Sequence, residues 1–522
     1  MPLPPGPRTA EVDLNDYHRL CYISQSTGCD ETGDGSSNRP WKSIGQALEN
    51  VRDASVERRV AILVAAGTYR EPTLDLREGL ELFGGFLAGP WRRDITEHRT
   101  VLKGSAKNRI LVAADHTRID GFTLRGAMVR GPGAAVYCNG SSPTISNNCF
   151  ADHRTKKPKN WSPKHLHETA NDGAAVYCCD GAAPSIRQNL FAENYTEIGR
   201  GAAIAMHGHC RGEIVGCVFL DNATGVEDQD RSSDGGAVSV FDWSGPLIED
   251  NVFLENKSFN SNDGGALSVA LWSSPKVRGN VFVGNRSTDD GGAVFIAGQE
   301  HRYDRPQDLL PARSDFLIEL SENLFLGNEN VKRNSGGIRL TKEARATLRN
   351  NILARDARLY VQNSEVEIVN NTILEDTILR DMSEETAKDL LANNLFWGRL
   401  QIGVRRRKSA AGGASVGEPA ITGVEPRLAD KRRELEIVSS TYDPALHLTQ
   451  IDVSANDLVD NALVNRVVRF ENRWGVVKTN QASHISVWGD VRNNSRLVLL
   501  PTYEIHPDSP QIERSANIRG SR

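Results

Sequence analysis

Between about residue 120 and residue 400 the chain alternates apolar and polar positions in short runs, each closed by Gly, Asn, Pro or Ser. Two phrases recur. One is Gly-Gly-Ala followed by apolar alternation, as in Asp234-Gly-Gly-Ala-Val-Ser-Val-Phe241, Asp263-Gly-Gly-Ala-Leu-Ser-Val-Ala270 and Asp290-Gly-Gly-Ala-Val-Phe-Ile-Ala297. The other is Asn-x-Phe-x-x-Asn, as in Asn189–Asn194, Asn251–Asn256, Asn280–Asn285 and Asn323–Asn328. The aligned apolar position falls at 122, 150, 191, 219, 253, 282, 325, 353, 373 and 396. Its spacing runs from 20 residues (353 to 373) to 43 (282 to 325), so the excess over the shortest unit is loop. A period of two predicts strands, and the punctuation predicts two or three of them per unit. No unit can bury its apolar face alone, whereas stacked units close one continuous core. Helical repeats need a 3.6 period, and propeller blades need about forty residues at steadier spacing. The pattern therefore predicts an all-β, right-handed parallel β-helix of roughly ten to twelve coils, with Asn and Phe ladders running up the stack.

Solenoid ends need covers. Ser43 to Asp53 reads as an amphipathic capping helix, with Ile44, Ala47, Leu48 and Val51 on one side. Met382 to Leu391 is a second short helical candidate. The expected organisation is a flexible N-terminus over 1–16, a β-helix with its N-terminal cap over 17–400, a linker or loop over 401–429, and an irregular C-terminal cap over 430–522. The linker holds the basic run Arg405-Arg-Arg-Lys408, and the cap holds the phrases Tyr442–Leu448 and Ile505–Pro510.

Composition narrows the function classes. Among 522 residues, 62 Lys and Arg against 67 Asp and Glu give a net charge of −5, which argues against a general nucleic-acid binder. No apolar run approaches a membrane span. The first residues carry no secretory leader, so the protein is extracellular or at the cell surface if a leader was removed, and cytoplasmic otherwise. The eight cysteines match no zinc spacing, and reduced core thiols are expected, with Cys21 and Cys29 as the best bridge candidates. The sequence leaves the oligomeric state open.

A resemblance emerges from these phrases. The Gly-Gly-Ala and Phe-x-x-Asn repeats are similar to those of chlamydial polymorphic outer-membrane proteins. The opening segment Tyr22-Ile-Ser-Gln-Ser-Thr-Gly-Cys-Asp-Glu-Thr-Gly-Asp-Gly35, then Pro40–Ala47, Val64–Glu71 and Leu82-Phe-Gly-Gly-Phe86, resembles the first coils of the pectin-lyase-like superfamily. The resemblance spans roughly residues 17 to 400. It implies a fold shared by lyases, hydrolases, epimerases, adhesins and viral spikes. It supports a carbohydrate-active β-helix, a polysaccharide lyase or glycoside hydrolase acting on an extended polysaccharide, acidic or neutral. The alternative is a non-catalytic adhesin, spike or structural module.

Candidate chemistry gathers in two places. Asp234, Asp263 and Asp290, with Asp172 earlier, share one repeat position before the Gly pair. Stacked carboxylates raise one another's pKa, which suits catalysis, and they supply the oxygen ligands that Ca²⁺ takes. The competing reading is a repeated turn, because Asp before Gly caps nearby backbone N–H groups. The acids Glu227, Asp228, Asp230 and Asp289 lie just before those turns. The second place is a long loop from His153 to Asn171. In it Lys164 and His165 are catalytic candidates, and Lys157, Trp161 and His167 are candidates for gripping a uronate or stacking on a sugar. Arg302 and Tyr303, in a loop at another corner, are candidates for substrate binding as the wall of a groove, or for contacting a partner. His207-Gly-His209 loosely resembles the Gly-His-Gly phrase of polygalacturonases, but Asp289-Asp290 follows it in the wrong order, and no role is transferred. No P-loop, dinucleotide fingerprint, His-Glu-x-x-His or nucleophile elbow occurs, so no organic cofactor is expected.

Overall fold

The computed structural model describes residues 4–160, 171–225, 233–260, 262–298, 316–332, 336–382, 394–397, 400–404, 428 and 430–503. Its body is a stack of parallel coils. Three sheets of twelve parallel strands run its length, and a shorter seven-stranded sheet lies between the second and third. Each full coil passes through the first sheet, the second, the short sheet and then the third. In the coil of residue 253 these strands are Leu247–Glu249, Val252–Leu254, Lys257–Ser258 and Leu267–Val269. Strands run from Arg19–Ile23 to Leu400–Val404.

The Phe ladder follows from the register. Phe191 pairs with Phe219, Phe253 and Phe282 follow in turn, and the last of these pairs with Phe325. Their rings stack at 4.6 to 5.1 Å between centroids and are fully buried. One alignment shifts. Phe150 pairs with Leu124 rather than Phe122, so Leu124 holds the repeat position in that coil.

Two Asn ladders bound this strand. In the first, Asn251 Nδ2 donates to Asn280 Oδ1 at 2.9 Å, and the chain continues through Asn323, Asn351, Asn371 and Asn394. Cys217 replaces Asn in one coil, and its backbone N–H still donates to Asn251. The second ladder links Asn194, Asn222, Asn256, Asn285 and Asn328. His153 opens it, its N–H donating to Asn194 Oδ1. The long loop expected from His153 therefore starts later, because His153 is a ladder residue and Arg154–Lys156 is a strand.

The capping helix spans Ile44–Asn50, with Ser43 accepting from the Gln46 N–H and Ile44, Ala47 and Leu48 buried. It packs against the first coil, next to Arg19–Ile23 and Leu74–Asp75. The second helical candidate and the basic run after 404 fall outside the described residues, apart from the strand Thr377–Met382. Residues 4–16, expected to be flexible, lie against the coils. Gly6 N–H donates to Gly216 O at 2.9 Å, and Val12 and Leu14 cover Phe83 and Phe86. None of the cysteines is bonded. Cys21 points into the core while Cys29 is exposed, which separates the expected pair.

The C-terminal region differs most from expectation. Instead of an irregular cap, its residues form a closed six-stranded antiparallel barrel between Arg433 and Leu499. The phrase Tyr442–Leu448 is the hairpin between its first two strands, Arg433–Asp443 and Leu448–Val453. The barrel has its own core, including Ile451, Val468, Phe470, Val477 and Ile485. It docks on the flank of the solenoid, where Leu448, Val467, Val476 and Trp488 bury Leu190, Leu220, Leu254, Val283 and Leu326 on the outer face of the second sheet. Arg473 reaches Asp221 and Glu255 at 2.6 Å each, and Trp474 N–H donates to Glu255. Trp474 lies over Gly284 and Gly327, both at positive φ, where a Cβ would meet its ring at 2.4 and 2.1 Å. Among the described residues no helix is long and apolar enough to cross a membrane.

Candidate functional site

The outer face of the third sheet gathers the chemistry. Alternate residues of its strands point inward, as Val238 and Val240 do, while Ser239 and Phe241 point outward. The long insertions join this sheet to its neighbours. Residues 157–175 and 225–237 enter it from the short sheet, and 298–317 leave it for the first sheet.

The structure lines up Asp234, Asp263 and Asp290. Asp234 Oδ1 accepts the Asp263 N–H at 2.9 Å, and Asp263 Oδ1 accepts the Asp290 N–H at 2.8 Å. Asp172 does the same for Arg200 N–H at 2.6 Å, so Arg200 takes the position that breaks the row. One oxygen each of Asp172, Asp234 and Asp263 thus joins neighbouring coils, which is the turn-shaping role. Burial, then Asp234 and Asp290, push the Asp263 carboxyl well above the usual range. Arg339 Nε lies 3.4 Å from Asp290 Oδ2 and closes the row, and Lys332 pairs with Asp289 at 2.9 Å. Among the described residues no group of three or more His, Cys, Asp or Glu is arranged to hold a metal ion.

Lys157 is exposed, with its N–H donating to Glu197 and its carbonyl accepting from Arg130. Trp161, Lys164, His165, His167, Arg302 and Tyr303 lie outside the described residues, as do Glu227, Asp228 and Asp230.

Two features escaped the sequence reading. At the N-terminal end of the face, Lys107, Arg109, Arg130 and Lys159 line a cleft of about 590 Å³ with Thr73, Val112 and Val129. Arg109 lies over the Tyr137 ring at 4.3 Å, and Tyr137 stacks on Tyr177 at 5.7 Å. Lys107 and Arg109 come from one coil and Arg130 and Lys159 from the two that follow, so no single run in the sequence announces the group. Farther along, Asp172 Oδ2 stands 3.1 Å from His207 Nδ1, and His207 Nε2 stands 3.3 Å from Ser239 Oγ. Asp172 stands out singly by its repeat position and His207 by its His-Gly-His phrase, while Ser239 shows only as an outward place in an alternating strand. His209, singled out with His207, instead stacks on Trp243 at 5.7 Å.

Residues 104–303 match the family model described as a right handed beta helix region. No curated protein matches the sequence. A solved structure, described as a mannuronic acid specific polysaccharide family 6 lyase enzyme from human gut microbiota, is 11% identical. The match covers 72% of this chain and 91% of that one, with a TM-score of 0.29, too loose to pair any residues. The matched segment and the sheet topology together make the coils of this chain a right-handed parallel β-helix.

Proposed function

We propose that this chain is a carbohydrate-active β-helix protein that takes an extended anionic polysaccharide along the outer face of its third sheet. The basic cleft carries the reading. Lys107, Arg130 and Lys159 are exposed around it, and they offer charge to carboxylates repeated along a glycan. The half-buried Tyr137, stacked on Tyr177, continues the cleft with the flat apolar surface that a sugar ring packs on. A lyase would use a cation here to stabilise the charge developing beside a uronate carboxylate, with a base to take the neighbouring proton. A hydrolase would instead draw on the Asp row.

A second reading, a glycan-binding module without catalysis, is favoured by one observation: Asp234 and Asp263 each commit an oxygen to the backbone of the next coil. A panel of acidic and neutral polysaccharides separates the two. Ultraviolet absorbance reports an unsaturated lyase product, reducing ends report hydrolysis, and affinity electrophoresis reports binding alone. We expect retention on acidic polymers that weakens with salt, and about tenfold weaker binding in the Lys107→Ala/Arg130→Ala variant, two partly screened contacts at roughly 0.7 kcal/mol each. Equal retention of neutral and acidic polymers, or none at all, overturns the proposal.

A further inference from the structure

We propose that Asp172, His207 and Ser239 form an acyl-transfer site that cleaves an ester, with an acylated glycan as its substrate class. The glycan part rests on the reading above; the ester chemistry rests on the relay alone.

Three consecutive coils contribute one side chain each. Asp172 lies in the turn before Val176–Cys179, His207 ends the strand Ile204–His207, and Ser239 points outward from Val238–Phe241. The contacts are 3.1 Å from Asp172 Oδ2 to His207 Nδ1 and 3.3 Å from His207 Nε2 to Ser239 Oγ. Asp172 Oδ2 and His207 Nδ1 face each other as an ion-pair contact, and neither atom has a hydrogen-bond partner among the described residues. Asp172 Oδ1 is held by the Arg200 N–H, which fixes the carboxylate. An ionised carboxylate only accepts, so the proton of a neutral imidazole sits on Nδ1. Nε2 then offers its lone pair to the Ser239 hydroxyl, the polarity a nucleophilic serine requires.

Burial argues for a purpose. Asp172 is 1% exposed, His207 5% and Ser239 0%. Placing an acid, an imidazole and a hydroxyl out of water is costly, and the same face carries Phe295 at the position of Ser239 two coils on. The rings of Tyr177 and Phe241 flank the imidazole at 5.8 and 5.4 Å. The Arg200 guanidinium lies 4.0 Å over Phe241 and sets a positive charge on the same face, the sign that suits an oxyanion. An ester reaches Ser239 only when side chains on this face part.

The step balances within the site. Ser239 Oγ attacks the ester carbonyl as its proton passes to His207 Nε2. The ester C–O bond breaks, and His207 returns that proton to the leaving alcohol. Water then attacks the acyl-serine by the same route, releasing the acid and restoring Ser239.

A fluorophosphonate probe on the full folded chain tests the nucleophile without any glycan. Covalent labelling of wild type at Ser239 is expected, falling on the order of 10³-fold or more in Ser239→Ala and His207→Gln. Labelling should persist in Ser268→Ala, whose serine pairs with Ser239 in the next coil. Melting temperatures confirm that each variant folds. Acetate release from O-acetylated polysaccharides should track labelling. An unlabelled wild type, or labelling that survives in Ser239→Ala, overturns the site. Labelling together with hydrolysis of p-nitrophenyl acetate, but no acid released from any glycan, upholds the site and sinks the glycan reading.

Discussion

His153 occupies the ladder position that the following coils give to Asn194, Asn222, Asn256, Asn285 and Asn328. Its Nδ1 accepts the Ala127 N–H, and its Nε2–H donates to Leu124 O, so both nitrogens are committed to the neutral ring. Burial pushes this imidazole down from 6.5 to about 4. The unfolded chain therefore binds the proton first as pH falls. Stability should be lost from about pH 6.5 down to about 4, by up to about 3 kcal/mol. Asn at this position extends the ladder without a titratable ring. Urea unfolding of His153→Asn should show that component of the slope gone, and an unchanged slope would contradict the assignment. Asp263 has the opposite sign. Its folded carboxyl is raised by burial and by Asp234 and Asp290, so its share of stability falls as pH rises through that raised value. Asp263→Asn keeps the acceptor for Asp290 N–H and removes the repulsion, so the variant should melt at or above wild type at pH 7. If calcium binds the row, saturating ion should stabilise wild type by about 1–3 kcal/mol and Asp263→Asn by less. Equal shifts with calcium and with chelator would remove the ion from the row. The row itself was legible, because one residue type recurs at one repeat position. Asp172, His207 and Ser239 were not legible as a group, since loop lengths between coils decide which outward side chains meet.

The strand carrying the Phe ladder shows how far a pattern reads. Its inner face was plain from the repeat, and Phe253, Phe282 and Phe325 are fully buried. Phe282→Ala, which removes a ring stacked on both sides, should cost about 3–5 kcal/mol in chemical denaturation. A loss under about 1 kcal/mol is incompatible with a buried ring there. The outer face of the same strand carried a signal too. Val252-Phe-Leu254, Val281-Phe-Val283 and Leu324-Phe-Leu326 are apolar on both sides of the ring, and strands apolar on both faces are covered on both. The barrel is that cover. It went unread because its own strands do not repeat, and because an alternating strand in sequence does not declare which sheet it joins.

The docked barrel changes what the solenoid is as a whole. Gly284 and Gly327 leave room for Trp474 where Asp221 and Glu255, at the same place in earlier coils, bind Arg473. Gly327→Val would put a β-branched side chain at φ +61 and against that indole. It should loosen the barrel, read as faster hydrogen exchange over Val467–Arg469 and Trp474–Gln481 with the Phe ladder still protected. Unchanged exchange in the barrel would place its anchorage elsewhere.

Stacked coils touch only their nearest neighbours, so such an array can fray from its ends one rung at a time. The barrel touches strands from Leu190–Ala192 to Ile352–Ala354, six rungs of the second sheet, with residues from Leu448 onward that are far away in sequence. It acts as a splint laid across the rungs. None of the six can peel away without surrendering part of one shared interface, so this stretch should open in a single all-or-none step while rungs beyond the splint unzip separately.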